Sequence, residues 1–185
     1  MVKVGLFLAD GFEEIEGLTS VDAMRRAGFE VTTISIMKRE VINGSHGIKV
    51  YADTLFEDVD DFKKFDALVL PGGGIGTQNL KAHEGVRKEI VKKASEGKLV
   101  AAICAAPTVL ASVGLLDKKR ATCYPGCESE FNSSITYTAA QVEEDGMVIT
   151  GNGMAAALPF AFAIIKKLGG EEPLDKVKKG VAYLG

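Results

Sequence analysis

Leu99-Val100-Ala101-Ala102-Ile103-Cys104-Ala105-Ala106-Pro107 is the stretch on which the reading of this chain turns. Residues 99–103 form an apolar run of strand length with two β-branched members. Cys104 follows at once, and residues 105–113 are compatible with a helix. A strand that turns sharply into a helix, with a nucleophile at the corner, is a nucleophile elbow. Such a corner leaves no room for side chains two residues to either side, and those positions are Ala102 and Ala106. A helix start here would set positive potential and free N–H groups beside the sulfur, which predicts a lowered thiol pKa. The same nine residues also fit a buried cysteine at a strand end.

Outward from this corner, strand and helix patterns alternate. Residues 2–9 read as a buried strand, Asp10-Gly11 as a turn, and 13–27 as a helix closed by Gly28. Ile15, Leu18, Val21 and Met24 are the expected apolar face of that helix. Residues 30–37 read as a strand, 44–52 as a hairpin arm and 58–64 as a short polar helix. Residues 67–70 are a core strand stopped by Pro71-Gly72-Gly73-Gly74. Residues 83–96 predict an amphipathic helix with Val86, Ile90 and Val91 inward. Beyond the elbow, 120–123 suggest a strand and 124–135 are irregular. Residues 141–144 and 147–150 flank an Asp145-Gly146 turn as a strand pair. Residues 155–168 predict a buried helix, and 173–184 a terminal helix with a basic face. The alternation predicts an α/β fold, a single domain over 1–185 with a mostly parallel sheet and helices on both faces.

In such a sheet the carboxyl ends of the parallel strands share one edge. That places Glu13, Glu14, Glu16, Gly72, Gly73, Gly74 and Cys104 together. Acids in a first helical turn complement the helix dipole, but three exceed that need. A carboxyl beside a thiol in an enclosed site has a raised pKa and can hold a proton against the thiolate. The glycine turn lacks the third glycine of a dinucleotide fingerprint and the Lys-Ser/Thr of a phosphate loop. Its backbone N–H, with that of Ala105, suits an oxyanion.

Composition narrows the function. The formal net charge of −3 and the lack of a basic cluster argue against nucleic acid. No apolar run approaches membrane-spanning length and no signal peptide is evident, so the expected location is cytoplasmic. Three cysteines do not make a disulfide framework. Cys123 and Cys127 have no partner ligands at zinc spacing, so no metal is expected. His46 and His83 both precede Cys104.

Four segments together carry a resemblance: residues 101–107, Leu70-Pro71-Gly72-Gly73, Gly11-Phe12-Glu13-Glu14-Ile15-Glu16, and Asp22-Ala23-Met24-Arg25-Arg26-Ala27-Gly28. They resemble the ThiJ/PfpI family, in the branch of the parkinsonism-associated deglycase and its bacterial relatives. The resemblance runs nearly end to end. It implies a flavodoxin-like three-layer sandwich, a homodimer, no cofactor, and an oxidation-sensitive cysteine. Matched residue by residue, Cys104 is the nucleophile, Glu16 the acid bonded to it, and Gly73 and Ala105 the backbone donors. His46, Tyr124 and Arg26 are candidate accessory residues. Relatives often carry His where Tyr124 stands, and Arg where His46 stands.

The function this implies is a cysteine-dependent glyoxalase or deglycase acting on small α-oxoaldehydes or their adducts. The alternative is a non-catalytic oxidative-stress sensor or redox-regulated chaperone using the same cysteine. Protease and glutamine amidotransferase chemistry are disfavoured, because Ala105 replaces the protease branch's His and no His follows Cys104.

Overall fold

The side chains of the central strands divide between two hydrophobic clusters in strict alternation, which fixes a sheet buried on both faces. Val4, Leu6 and Leu8 join one cluster while Phe7 and Ala9 join the other. Leu99, Ala101 and Ile103 likewise oppose Val100 and Ala102. The computed structural model describes residues 1–184. The strands are β1 (Lys3–Leu8), β2 (Glu30–Ser35), β3 (Val41–Asn43), β4 (Lys49–Tyr51), β5 (Thr54–Leu55), β6 (Ala67–Leu70), β7 (Leu99–Ile103), β8 (Arg120–Ala121), β9 (Thr136–Tyr137), β10 (Val142–Asp145) and β11 (Val148–Gly151). The helices are α1 (Glu14–Arg26), α2 (Gly74–Ala82), α3 (Glu84–Ser95), α4 (Pro107–Ser112), α5 (Ala157–Gly169) and α6 (Glu171–Gly180).

Seven strands form the main sheet in the order β10-β11-β7-β6-β1-β2-β5. Only the β10–β11 hairpin is antiparallel; every other pairing in that sheet is parallel. One face is covered by α1, α5 and α6, through residues such as Met24, Phe160, Ile164 and Val177. The other is covered by α2, α3 and α4, through Leu80, Val86, Ile90 and Val109. This is the mostly parallel, doubly covered sheet that the alternation predicted, and the flavodoxin-like three-layer sandwich that the resemblance implied. Among the described residues, no helix is long and apolar enough to cross a membrane.

The order β7-β6-β1 is what positions the site. These neighbours register Leu70 with Ala102 and Leu6 with Val69, so their carboxyl ends open side by side. The loops after β1, β6 and β7 therefore converge, with the β6 loop in the middle.

Several sequence expectations are corrected. Ile15 and Leu18 of α1 face solvent, at 49% and 37% exposure, whereas Glu14 and Glu16 are buried. The helix turns its acids inward because they find backbone N–H partners there, an outcome that hydrophobic spacing cannot anticipate. Val91 of α3 is also exposed. Residues 58–64 hold no regular helix; 3₁₀ turns cover Phe56–Asp58 and Phe62–Lys64. The hairpin arm begins at β3, which pairs Val41 with Tyr51, so residues 44–48 are its tip. A nine-residue α2, hidden from sequence reading by its glycine-rich start, follows Gly73 directly. The terminal helix starts at Glu171, behind Gly170, and ends at Gly180.

Candidate functional site

Cys104 sits at the corner after β7 in a left-handed conformation, with φ 64°. A non-glycine residue there costs roughly 1–2 kcal/mol, so the surroundings must hold it. They do so through the backbone. The Cys104 N–H donates to the Gly151 carbonyl at 2.9 Å, and the Cys104 carbonyl accepts from the Tyr124 N–H at 2.8 Å. Ala102 and Ala106 are fully buried beside the corner, as the elbow requires.

The helix behind the elbow is shorter than expected. It begins at Pro107 and spans six residues, with Ala105 and Ala106 in the turn. Its dipole is correspondingly small, and the expected lowering of the thiol pKa is overturned. Burial and the charge of Glu16 push the Cys104 thiol up to about 12, against the N–H groups of Gly73 and Ala105, which favour the thiolate. The two backbone donors named from the sequence do face the sulfur.

Glu16 projects from the first turn of α1 and is wholly buried. Its Oε2 accepts from the Gly72 N–H at 2.9 Å. Its Oε1 has no nitrogen or oxygen partner, and the group that faces the carboxyl is the Cys104 thiol. Burial pushes Glu16 up to about 7; the Cys104 and Gly72 donors pull it down, and Glu13 adds to the rise. Thiol and carboxyl thus titrate as one unit, which holds two protons below about pH 7 and one above it.

Gly72 is the residue that lets the two groups meet. A Cβ there would lie 2.5 Å from the Cys104 Cβ and 2.6 Å from Glu16 Oε2. Its role is invisible in sequence, where the Gly run reads as a tight turn with a backbone N–H free for an oxyanion. Gly73 has φ 89° and a Cβ on it would come within 2.2 Å of the Gly11 carbonyl oxygen. These glycines lock the β6 loop to the β1 loop, which is also joined by a Glu13 N–H bond to the Gly72 carbonyl at 3.0 Å.

The three acids of α1 do three different things. Glu13 caps the helix, its Oε2 accepting from the Glu16 N–H at 2.8 Å. Glu14 grips the β3–β4 tip, accepting from the His46 N–H at 2.7 Å and from the Ser45 hydroxyl at 3.0 Å, with the His46 ring at 3.0 Å. Burial raises Glu14, but these donors outweigh it and hold it down at about 2. Only Glu16 turns to the cysteine.

The accessory residues spread out. His46 lies against Glu14, with its ring largely exposed; Glu16, Gly73 and Ala105 are the groups that set the Cys104 thiol. Tyr124 serves through its backbone N–H, and its ring is exposed over Gly153. Arg26 pairs with Asp22 at 2.6 Å. It lies about 15 Å along α1 from Glu16, so within one chain it stands apart from the thiol. Among the described residues, one group has metal-ligand spacing, Glu13, Glu14 and His46, with ligand atoms within 4.8 Å of one another. Its acids are already occupied by the cap and the hairpin tip. A cleft of about 390 Å³ opens beside the elbow, lined by Gly74, Thr77, Ala105, Thr108 and Cys127 among others. The Thr77 hydroxyl at its wall is buried without a partner.

Comparison with known proteins agrees with this architecture. The profile of the DJ-1/PfpI family matches residues 2–167. The chain is 36% identical over 176 residues to Protein DJ-1 homolog B of Arabidopsis thaliana, covering 95% of this chain and 40% of that protein. It therefore spans less than half the length of that relative. It is 36% identical over 159 residues to a protein of Pyrococcus abyssi named a deglycase, covering 85% of this chain and 91% of the relative. Among solved structures, oxidized Toxoplasma gondii DJ-1 superposes with a TM-score of 0.94 at 31% identity, over 100% of both chains.

Proposed function

The chain belongs to the DJ-1/PfpI family, and from that premise we propose that it is a cofactor-free, cysteine-dependent glyoxalase or deglycase for small α-oxoaldehydes or their adducts. The observation that carries this reading is the wholly buried Glu16 carboxyl, held by the Gly72 N–H and set against Cys104 at the elbow. Cys104 is the nucleophile. Its sulfur adds to the aldehyde carbon as its proton passes to Glu16, giving a hemithioacetal whose oxygen is held by the Gly73 and Ala105 N–H groups. Glu16 then moves a proton from one substrate carbon to its neighbour through an enediol, leaving a thioester. Water cleaves the thioester, releasing the hydroxy acid and regenerating the thiol. A carboxyl held near 7 suits both the giving and the taking of a proton. The deglycase-named relative supports the carbonyl-adduct side of the reading.

The protein acts as a homodimer in this proposal. Ile15, Ile48 and Met154, each about half exposed, converge around Glu13, Glu14 and His46. This apolar cluster fits a second copy laid against α1 and the hairpin tip. Three free thiols suit the reducing cytoplasm. Sensing by the same cysteine is the second reading, favoured by the partial exposure of Cys104.

The test is production of lactate from methylglyoxal, and release of amine from its adducts, by the purified protein and by Cys104→Ala. Turnover lost in the variant is the expected result. Wild-type protein that makes neither product overturns the enzymatic reading.

A further inference from the structure

Cys104 is not the only thiol at the elbow. The Tyr124 N–H that braces the Cys104 carbonyl places Cys123 directly beside the corner. With standard bond lengths, that 2.8 Å hydrogen bond holds the Cα atoms of Cys104 and Cys123 within about 8 Å at full stretch, and ordinary hydrogen-bond angles bring them to about 5–6 Å. Disulfides span Cα separations of about 4.4–6.8 Å. The charge of Cys104 is felt at Cys123, as is that of Cys127, so the middle cysteine lies within electrostatic reach of both others. Cys127 is tied into the same loop, its N–H donating to the Tyr124 carbonyl at 2.9 Å.

The three thiols differ in access. Cys123 is wholly buried, and Cys104 and Cys127 are half-buried. Burial pushes Cys123 up to about 12, with no backbone donor to offset it. Cys123 is therefore inert toward a dissolved oxidant, yet sits next to the one sulfur that shares its proton with a carboxyl.

We propose that Cys123 is a resolving cysteine, which captures oxidised Cys104 as an intramolecular disulfide and so spares it from further oxidation. The oxidant is a hydroperoxide. The Cys104 sulfur attacks one oxygen, the O–O bond breaks, and the departing oxygen leaves as water or an alcohol. That gives the sulfenic acid Cys104–SOH, with sulfur oxidised by two electrons and the hydroperoxide reduced by two. The Cys123 sulfur then attacks the Cys104 sulfur, the S–O bond breaks, and hydroxide leaves as water with the Cys123 thiol proton. A thiol reductant returns both cysteines. The inference rests on Cys104 being the oxidisable thiol named in the proposed function, and not on its carbonyl chemistry.

The test treats the whole protein with hydrogen peroxide, blocks free thiols, and maps peptides without reduction. A Cys104–Cys123 cross-link, removed by dithiothreitol, is expected in the wild type and in Cys127→Ser. Cys123→Ser and Cys123→Ala should lose the cross-link and accumulate sulfinate at Cys104 at peroxide doses that leave the wild type reversible. Two variants guard against a folding artefact at this buried position, and circular dichroism checks both. A Cys104–Cys127 cross-link, sulfinate yields in the wild type equal to those of the Cys123 variants, or a Cys123–Cys127 disulfide that still forms in Cys104→Ser, each overturns the proposal. Methylglyoxal turnover, measured in parallel, separates this outcome from the enzymatic reading: a cross-link without turnover removes only the latter, and turnover without a cross-link removes only the former.

Discussion

Glu16→Gln should make the folded protein more stable, and the gain should grow with pH. A carboxyl with an ordinary value of 4.5 that is raised to about 7 on folding binds more protons in the native than in the unfolded state between those limits. Native stability in the wild type is therefore full below about pH 4.5 and falls as pH rises toward about 7. At ~1.4 kcal/mol per pH unit, the loss reaches roughly 3 kcal/mol by about pH 8 and is only about 1 kcal/mol at about pH 5. The glutamine side chain keeps an oxygen for the Gly72 N–H and carries no proton to lose, so the variant escapes that loss. Urea unfolding of wild type and variant at the two pH values measures it. The stability difference between the proteins should be larger at the higher pH by about 2–3 kcal/mol. A difference that is the same at both, or that shrinks as pH rises, refutes the raised carboxyl and with it the shared proton. The same variant should lose most turnover, which would make Glu16 a residue held against the fold's own stability.

Limiting iodoacetamide should label Cys104 before Cys123, because Cys123 is wholly buried; peptide mapping that finds Cys123 first removes the elbow reading. The alkylation rate of Cys104 should rise with pH through about 7 as the pair loses its first proton, and His46→Ala should leave that midpoint in place, because His46 is bonded to Glu14; a displaced midpoint would show His46 acting on the thiol. Gly72→Ala should destabilise the protein by roughly 1–3 kcal/mol and abolish turnover, since its methyl would overlap Cys104 and Glu16 together; a fully active, equally stable variant contradicts the packing described. Glu14, held down at about 2, contributes stability that is present above its ordinary 4.5 and lost as pH falls toward 2; acid unfolding of Glu14→Gln should lack that component and be less stable than wild type at neutral pH.

The layers, and the edge at which the site lies, follow from local pattern alone. The apolar runs at 67–70 and 99–103, separated by helical periodicity, have few ways to fold other than a parallel sheet covered on both faces. The sharp corner at Cys104 and the small residues around it were also legible, because an elbow tolerates little else. The division of labour among Glu13, Glu14 and Glu16 was not legible in local pattern, and only the family resemblance singled out Glu16. All three are equivalent as acids in a first turn, and only the neighbours supplied by other segments separate them: the helix's own N–H, the hairpin tip and the Gly72 N–H beside a thiol. The same cause turned α1 so that Ile15 and Leu18 face outward, against their spacing. The thiol's pKa went the other way from the sequence expectation for a related reason. A strand followed by a helix implies a dipole, but its strength depends on where the helix begins, and the sulfur's charge depends on how deeply it and Glu16 are buried together. Local patterns record which residues a segment contains; burial and pairing with segments remote in the chain are properties of the assembled structure, and they set the charge state on which the proposed reaction depends.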